Sequence, residues 1–250
     1  IPLRLVGSEM CIRDRYTLIL IDGRRQGSSA GVNYRDDLGP QDLNWLSPDM
    51  IERIEVVRGP MSSLYGSDAM GGVINIITRK IADHWGGSAT FNYSKPDSDT
   101  RGNTTQMGAL FSGPLTDNLG VRIGANVTDR ESDRGARQTP GNKAENANVL
   151  FDWRISDSHV VGVEASRGTQ RNSGAGQVNS WGLSKLVQTG YVIRHDGTYS
   201  DATTSKTTLV QNEYEDKGSD VGNRSKETVF DTAFNTCLLY TSPSPRDVEE

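Results

Sequence analysis

The sequence predicts a small mixed α+β unit over residues 16–80, followed by an antiparallel β meander over residues 81–236. Up to about Lys80, apolar residues come in continuous runs, as strands buried on both faces require. Beyond Trp85 they alternate with polar residues at a period of two, which gives each strand one apolar and one polar face. The connections there alternate between short turns and long polar loops. This pattern fits a transmembrane barrel or a water-soluble sandwich, and the strands alone leave both open.

In the first unit, Tyr16-Thr17-Leu18-Ile19-Leu20-Ile21 reads as a strand ended by Asp22-Gly23. A segment rich in Gly, Ser and Asn follows, carrying Arg24, Arg25 and Arg35. Ser47-Pro48-Asp49 opens a short helical turn, with Ser47 as its cap and Pro48 in the first position. Ile51, Ile54 and Val57 hold a helical spacing while Ile54 and Val56 alternate, so the turn passes into a strand that Gly59-Pro60 ends. Val73-Ile74-Asn75-Ile76-Ile77 is a second strand, its apolar run interrupted by Asn75. Between the two strands, Gly66, Gly71 and Gly72 supply tight turns and close backbone approach.

In the meander, Ala89, Phe91 and Tyr93 share a face, as do Met107, Ala109 and Phe111. Val121, Ile123, Ala125 and Val127 alternate with polar residues and glycine. Ala147, Val149, Phe151, Trp153 and Ile155 do the same, apart from Leu150, and Val161, Val163 and Ala165 follow. Tyr191 and Ile193, Val210 and Tyr214, and Phe230 and Phe234 mark weaker strands, for about eight in all. Short turns fall at Thr116-Asp117-Asn118, Ser156-Asp157-Ser158 and Asp201-Ala202-Thr203-Thr204. Longer polar connections run from Glu131 to Lys143, Arg171 to Lys185 and Lys217 to Asn223.

The chemistry of the chain excludes more than it names. No run of about eighteen apolar residues provides a transmembrane helix. The net charge of −5, without a basic stripe or stacking motif, speaks against nucleic acid. His84, His159 and His195 are isolated and show no metal-ligand spacing. Ser62-Ser63 lacks a nucleophile-elbow context, and Gly66 to Gly72 lacks the Gly-Lys-Ser/Thr end of a phosphate loop. The expectation is a protein that is not an enzyme and holds no cofactor or metal of its own.

Both ends carry a separate signature. The DNA stretch GAG-ATG-TGT-ATA-AGA-GAC-AG encodes Glu9-Met10-Cys11-Ile12-Arg13-Asp14. Its reverse complement contains TGT-CTC-TTA-TAC-ACA-TCT, which encodes Cys237-Leu238-Leu239-Tyr240-Thr241-Ser242. Extended outward, one segment read on its two strands accounts for residues 1–15 and 237–250, and it resembles a transposase-type sequencing adapter. Both segments are therefore expected to be adapter-like and to lack evolved packing partners. Both cysteines fall within them, so no disulfide is expected. The coding sequence is expected to continue on either side, where a signal peptide would lie.

The stretch from Ile51-Glu52-Arg53-Ile54-Glu55-Val56-Val57-Arg58-Gly59-Pro60 through Gly71-Gly72-Val73-Ile74-Asn75-Ile76-Ile77-Thr78 resembles the second half of the plug of TonB-dependent outer-membrane receptors. Leu43-Asn44-Trp45-Leu46-Ser47-Pro48 ahead of it is similar to the catecholate-siderophore and colicin-I-receptor subgroup. The resemblance implies an α+β plug fragment followed by an antiparallel transmembrane β-barrel fragment, about eight strands of a larger barrel. It favours the barrel over the sandwich. In such barrels about twenty-two strands close the wall, and eight alone would leave two unpaired edges in lipid.

The resemblance also implies a function. A ferric siderophore is taken up from outside, with energy supplied by a TonB-ExbB-ExbD complex acting on an upstream segment. Partners would be outer-membrane lipid and, in some relatives, colicins or phage. Haem or cobalamin uptake is the neighbouring alternative, and a structural or adhesive β-protein is the alternative from another class. The plug loop carrying Arg24, Arg25, Tyr34 and Arg35 would face the extracellular pocket and meet an anionic ferric catecholate through guanidinium and aromatic groups. Asp36 and Asp37 would weaken that positive field. Glu52, Arg53, Glu55 and Arg58 are spaced for ion pairs between plug and barrel wall, or for local pairs on the plug itself.

Overall fold

The computed structural model describes residues 17–25, 46, 48–61, 69–98, 100–134, 140–173, 185–217 and 224–236. The terminal segments 1–15 and 237–250 expected to be adapter-like, and Tyr34, Arg35, Ser47 and Gly66, lie outside them. The first unit contains β1 (Thr17–Ile21), β2 (Arg24–Arg25), a 3-10 turn (Pro48–Met50), β3 (Ile51–Arg58) and β4 (Gly72–Thr78). These strands form one sheet in the order β2-β1-β4-β3, with β1 parallel to β4 and the other pairs antiparallel.

Local chemistry explains each junction. Asp22 and Gly23 take φ of 51° and 76°, the left-handed pair that a two-residue hairpin turn between β1 and β2 requires. The expected helical turn at Pro48 is confined to the 3-10 segment, and the chain is extended from Ile51 onward. Gly59, at φ 104°, ends β3. Gly72 has φ 135°, and a Cβ there would lie 2.6 Å from the Val57 carbonyl oxygen, so β4 enters the sheet at a position built for glycine. Apolar residues cover both faces of β1, which accounts for its unbroken run. Leu18 and Leu20 pack with Ala69 and Val73 on one side, and Ile21 packs with Leu46, Met50, Ile76 and Leu110 on the other.

The rest of the described chain is a single antiparallel sheet, each strand beside its sequence neighbours. Its strands are β5 (Gly86–Ser94), β6 (Thr104–Pro114), β7 (Leu119–Arg130), β8 (Gly141–Ser156), β9 (His159–Ser173), β10 (Lys185–Ser200), β11 (Thr203–Asp216) and β12 (Arg224–Thr236). The first long connection is thus shorter than the sequence suggested, since Gly141 to Lys143 belong to β8. The inner face meets the plug sheet and is polar, with buried Arg122, Asn146, Asn148 and Glu164. The outer face is apolar and open: Phe91, Phe111, Trp153 and Phe230 are all more than half exposed. A soluble sandwich would place these faces the other way round.

Two apolar sites depart from the outward pattern. Val210 and Tyr214, which mark their strand in the sequence, lie on the inner face and are buried, with Tyr214 accepting a hydrogen bond from Gln188 Nε2 at 3.4 Å. Leu209 is the outward residue of that pair of positions. Val121 shares the outer face with Ile123 yet is buried. Its register partner Gly113 lies against the Trp85 ring, which a Cβ at 113 would approach to 2.5 Å.

The strands run at a slant to the apolar band. One hydrogen-bonded row reads Phe91, Met107, Val127, Glu145, Thr169, Val187, Glu215, Arg224. It begins apolar and ends charged. In the other direction, the row through Phe151, Val163, Ile193, Leu209 and Phe230 stays apolar to the last strand. A flat lipid slab crossing such rows obliquely means tilted strands, as a barrel wall has. Along β8 the band from Ala147 to Ile155 measures roughly 26 Å at about 3.3 Å per residue, close to the length of a tilted strand that crosses a bilayer's apolar core.

Gly72→Ala is expected to loosen the plug sheet, because the new Cβ meets the Val57 carbonyl and the φ is unsuited to an L side chain. A cost of about 1–3 kcal/mol follows. Amide exchange across β3 and β4 in the complete receptor should then speed up by about ten- to a hundredfold, and unchanged exchange would show that the strain is absent.

Candidate functional site

The plug sheet meets the wall along a seam of charged and polar groups. At its centre is the Asp22 turn. The Asp22 carboxylate accepts from Thr78 N at 2.8 Å, from Thr78 Oγ1 at 2.9 Å and from Arg24 Nη2 at 3.2 Å. Asp22 N donates to the Ile76 carbonyl at 2.9 Å. Gly23 N donates to Asn75 Oδ1 at 2.9 Å, and Asn75 Nδ2 donates to Glu55 Oε2 at 3.3 Å. The polar interruption in β4 thereby holds the hairpin turn in place.

Wall residues reach this turn from three strands. Glu164 of β9 accepts from Arg24 Nη1 and Nη2 at 3.4 and 3.3 Å, in a pair with both side chains buried. Lys206 of β11 donates from Nζ to the Asp22 carbonyl at 2.8 Å. Arg122 of β7, only 1% exposed, donates from Nη1 to Thr78 Oγ1 at 3.0 Å and also to the Arg79 carbonyl. Nearer β5 and β6, Thr90 Oγ1 donates to Asp49 Oδ1 at 2.6 Å, and Ser112 Oγ accepts from Ala82 N at 2.9 Å. Within the wall, Arg194 pairs with Asp152 at 2.5 Å. The Nε atoms of Arg122 and Arg194 and the Oδ1 of Asn148 are buried and make no hydrogen bond among the described residues. Such groups are places for bound water.

The residues singled out from the sequence fall in different places. Arg24 lies in the seam, where the Ile21 carbonyl, Asp22 and Glu164 occupy its guanidinium. Arg25 is the last residue of β2, and Tyr34 and Arg35 lie outside the described residues. Arg53 bonds Glu52 at 2.8 Å and Glu55 at 2.9 Å on its own strand. The hydrogen bond that Arg53 donates to Glu55, with the charges of Glu55 and Glu52, holds the Arg53 guanidinium above its ordinary pKa against the opposing effect of desolvation. Arg58 is exposed at the end of β3. Sequence reasoning missed Asp22, Asn75, Thr78, Arg122, Glu164 and Lys206. The Asp-Gly turn and the lone Asn in an apolar run were the available signals for the first two. The wall residues gave none, since an inward polar residue is ordinary for an alternating strand.

No catalytic grouping forms among these residues. His159 and His195 sit on the outer face, with Nδ1 and Nε2 3.1 Å apart and rings within 10° of parallel, and His159 makes an edge contact with Tyr199. Among the described residues, no three His, Cys, Asp or Glu side chains are grouped to hold a metal ion.

Removing the seam's buried ion pair tests how firmly it docks the plug. Glu164→Gln should cost about 3 kcal/mol of docking, because the Arg24 charge stays buried with only Asp22 to answer it. Arg24→Met combined with Glu164→Gln should cost less than the sum of the single changes. A double-mutant cycle on denaturant-induced plug release in the complete receptor measures this coupling, and additive effects would mean the pair holds nothing.

Comparison with known proteins agrees with this geometry. Residues 4–73 match the TonB-dependent Receptor Plug Domain. The ferric enterobactin receptor PirA of Pseudomonas aeruginosa is 34% identical over a match covering 75% of this chain and 29% of its own length. The iron-regulated outer membrane virulence protein of Vibrio cholerae is 32% identical over 90% of this chain and 35% of its length. The crystal structure of the siderophore receptor PirA from Pseudomonas aeruginosa superposes with a TM-score of 0.71 at 29% identity, covering 91% of this chain and 38% of that one. The chain thus spans about a third of the length of these relatives. With its plug sheet held against the polar face of a tilted, outward-apolar wall, the chain belongs to the TonB-dependent receptors of the bacterial outer membrane.

Proposed function

We propose that the receptor to which this chain belongs takes up ferric catecholate siderophores and is energised by a TonB-ExbB-ExbD complex. The observation that carries the reading is the plug's attachment. Among the described residues it rests on a buried ion pair, a set of hydrogen bonds and an apolar contact at Leu110, and not on a broad apolar core. Water can replace polar contacts of this kind at little cost, so a pull on the plug can free it without exposing a large apolar surface. No bond chemistry is required, and the iron complex is cargo, not cofactor. Relatives named as ferric enterobactin receptors support the catecholate class over haem or cobalamin.

Ligand contact falls to Arg25, Tyr34 and Arg35. Arg24 is already engaged by two carboxylates on the wall side of the hairpin. Glu52, Arg53, Glu55 and Arg58 lie on β3, the edge of the plug sheet. Their local pairs are exposed, and we assign them to contacts with wall strands beyond β12. Colicins or phage would use the same extracellular surface.

In the complete receptor, Arg35→Ala should weaken binding of a ferric catecholate and leave folding intact. Loss of one charge-assisted contact costs about 1.5–3 kcal/mol, and a neutral siderophore should lose less. Equilibrium binding of both ligand types to purified receptor checks this. Unchanged affinity for the anionic ligand removes Arg35 from the site, and high affinity only for haem or cobalamin overturns the siderophore assignment.

A further inference from the structure

Strand pairing brings together two histidines that lie 36 positions apart in the sequence. His159 opens β9 and its register partner is Gly197 of β10, so His195 lies diagonally beside it on the outer face. Diagonal neighbours on an antiparallel pair are within reach of aromatic side chains. Gly197 leaves the way clear, since a Cβ there would stand 3.1 Å from His159 Nδ1 and 3.2 Å from its Cε1. The His159 ring therefore lies across the glycine, and its Nδ1 comes to 3.1 Å from His195 Nε2. Tyr199 meets the His159 ring edge-on with centroids 5.4 Å apart, and its hydroxyl accepts from Ser205 Oγ at 3.3 Å.

The two imidazoles are within 10° of parallel and turn one nitrogen each toward the other. In the neutral pair one of these nitrogens carries a proton and donates to the other. The same spacing suits a shared metal ion. An imidazole nitrogen binds zinc at about 2.0–2.1 Å, so two such ligands on neighbouring coordination positions stand about 2.9–3.4 Å apart. The donating ring needs only to carry its proton on its other nitrogen, and both rings then present a lone pair with no change in net charge.

The surroundings favour a cation. The hydrogen-bonded rows through the two histidines run from Trp153 to Thr232 and from Ser156 to Phe234, and neither holds a charged residue across β8 to β12. Arg194 and Asp196, on either side of His195, turn to the inner face, where Arg194 pairs with Asp196 and Asp152. The adjoining short turns contribute Asp157 and Asp201 and no basic residue. The charge near this rim is thus negative, while the ligands on offer are nitrogens. Calcium and magnesium call for oxygen ligands, whereas copper(II), nickel(II) and zinc accept imidazole.

We propose that His159 Nδ1 and His195 Nε2 bind a divalent transition-metal ion at the short-turn rim of the wall, with water completing its coordination. Copper(II) binds most tightly of the series at nitrogen ligands. The site lies on the outer face, away from the plug, and does not depend on which cargo the receptor carries.

The test uses the complete receptor without an affinity tag, in a neutral detergent, after a chelator has removed bound metal. Copper(II) is titrated into the wild type, H159Q and H195Q, followed by calorimetry and electron paramagnetic resonance. The wild type should give a copper signal coupled to two nitrogens. Each single variant should lose that signal, and affinity at the site should fall by about a hundredfold, the lower end of what a second linked contact adds. Excess zinc should displace the copper, and calcium and magnesium should not. Heat-modifiable migration in SDS and affinity for the ferric catecholate should be unchanged, because both side chains stand on the outer face. A wild type without a two-nitrogen copper signal overturns the proposal, and that outcome requires no variant to fold. Persistence of the signal in either variant, equal copper affinity in all three proteins, or displacement by calcium or magnesium overturns it as well.

Discussion

The carboxylate of Asp22 accepts from the β4 backbone, from the Thr78 hydroxyl and from Arg24, while the carbonyl of the same residue accepts from Lys206 on the wall. Plug sheet, hairpin and wall all depend on that corner. The parallel pairing of β1 with β4 brings Thr78 beside the turn. The left-handed φ of Asp22 points its side chain back across the strand ends, and Arg24 leaves the turn aimed at Glu164. Replacing the carboxylate would orphan Thr78 N and leave Arg24 with one partner in a region where buried polar groups without partners are costly.

The same corner explains the character of the seam. In the seam and the wall beside it, Arg24 meets Asp22 and Glu164, and Arg194 meets Asp152 and Asp196. Opposite charges paired in this way limit the cost of burying them. The pairing also keeps the seam wettable, because every group in it has water as an acceptable substitute partner. An apolar seam would dock the plug more firmly and would make its release in water far more costly. Among the described residues, Leu110 is the wall residue in the apolar cluster of Ile21, Leu46, Met50 and Ile76.

Much of the fold was legible in the residues because the two units use different periods. Continuous apolar runs gave β1 and β4, mixed spacing gave β3 behind its turn, and alternation gave β5 to β9 clearly and β10 to β12 weakly. Alternation does not say which way a strand faces: in β11 Val210 and Tyr214 are buried on the inner side, while Leu209 is outward. Val121 is buried at an outward position, and its register partner Gly113 lies against the Trp85 ring, a proximity that no local pattern encodes. The seam was the least legible part. Glu164 and Lys206 become partners of Arg24 and Asp22 only once the wall has bent around the plug, across separations that a linear reading cannot bridge. Arg24 looked like a loop residue because its neighbours are loop-forming, and the hairpin turn that carries it into the seam is fixed by Asp22 and Gly23 ahead of it.

The outer face completes the argument from the opposite side. A composition with only 34% hydrophobic residues reads as that of a water-soluble protein, yet the sheet turns its apolar half outward. It can do so because period two needs only alternate residues for lipid, leaving the other half free to build the seam. The slant of the apolar band across the hydrogen-bonded rows then follows from closing a wall by tilted strands. That slant leaves the row through Phe91, Met107 and Val127 apolar in β5 to β7, while the same row is charged at Glu145, Glu215 and Arg224 farther along the wall.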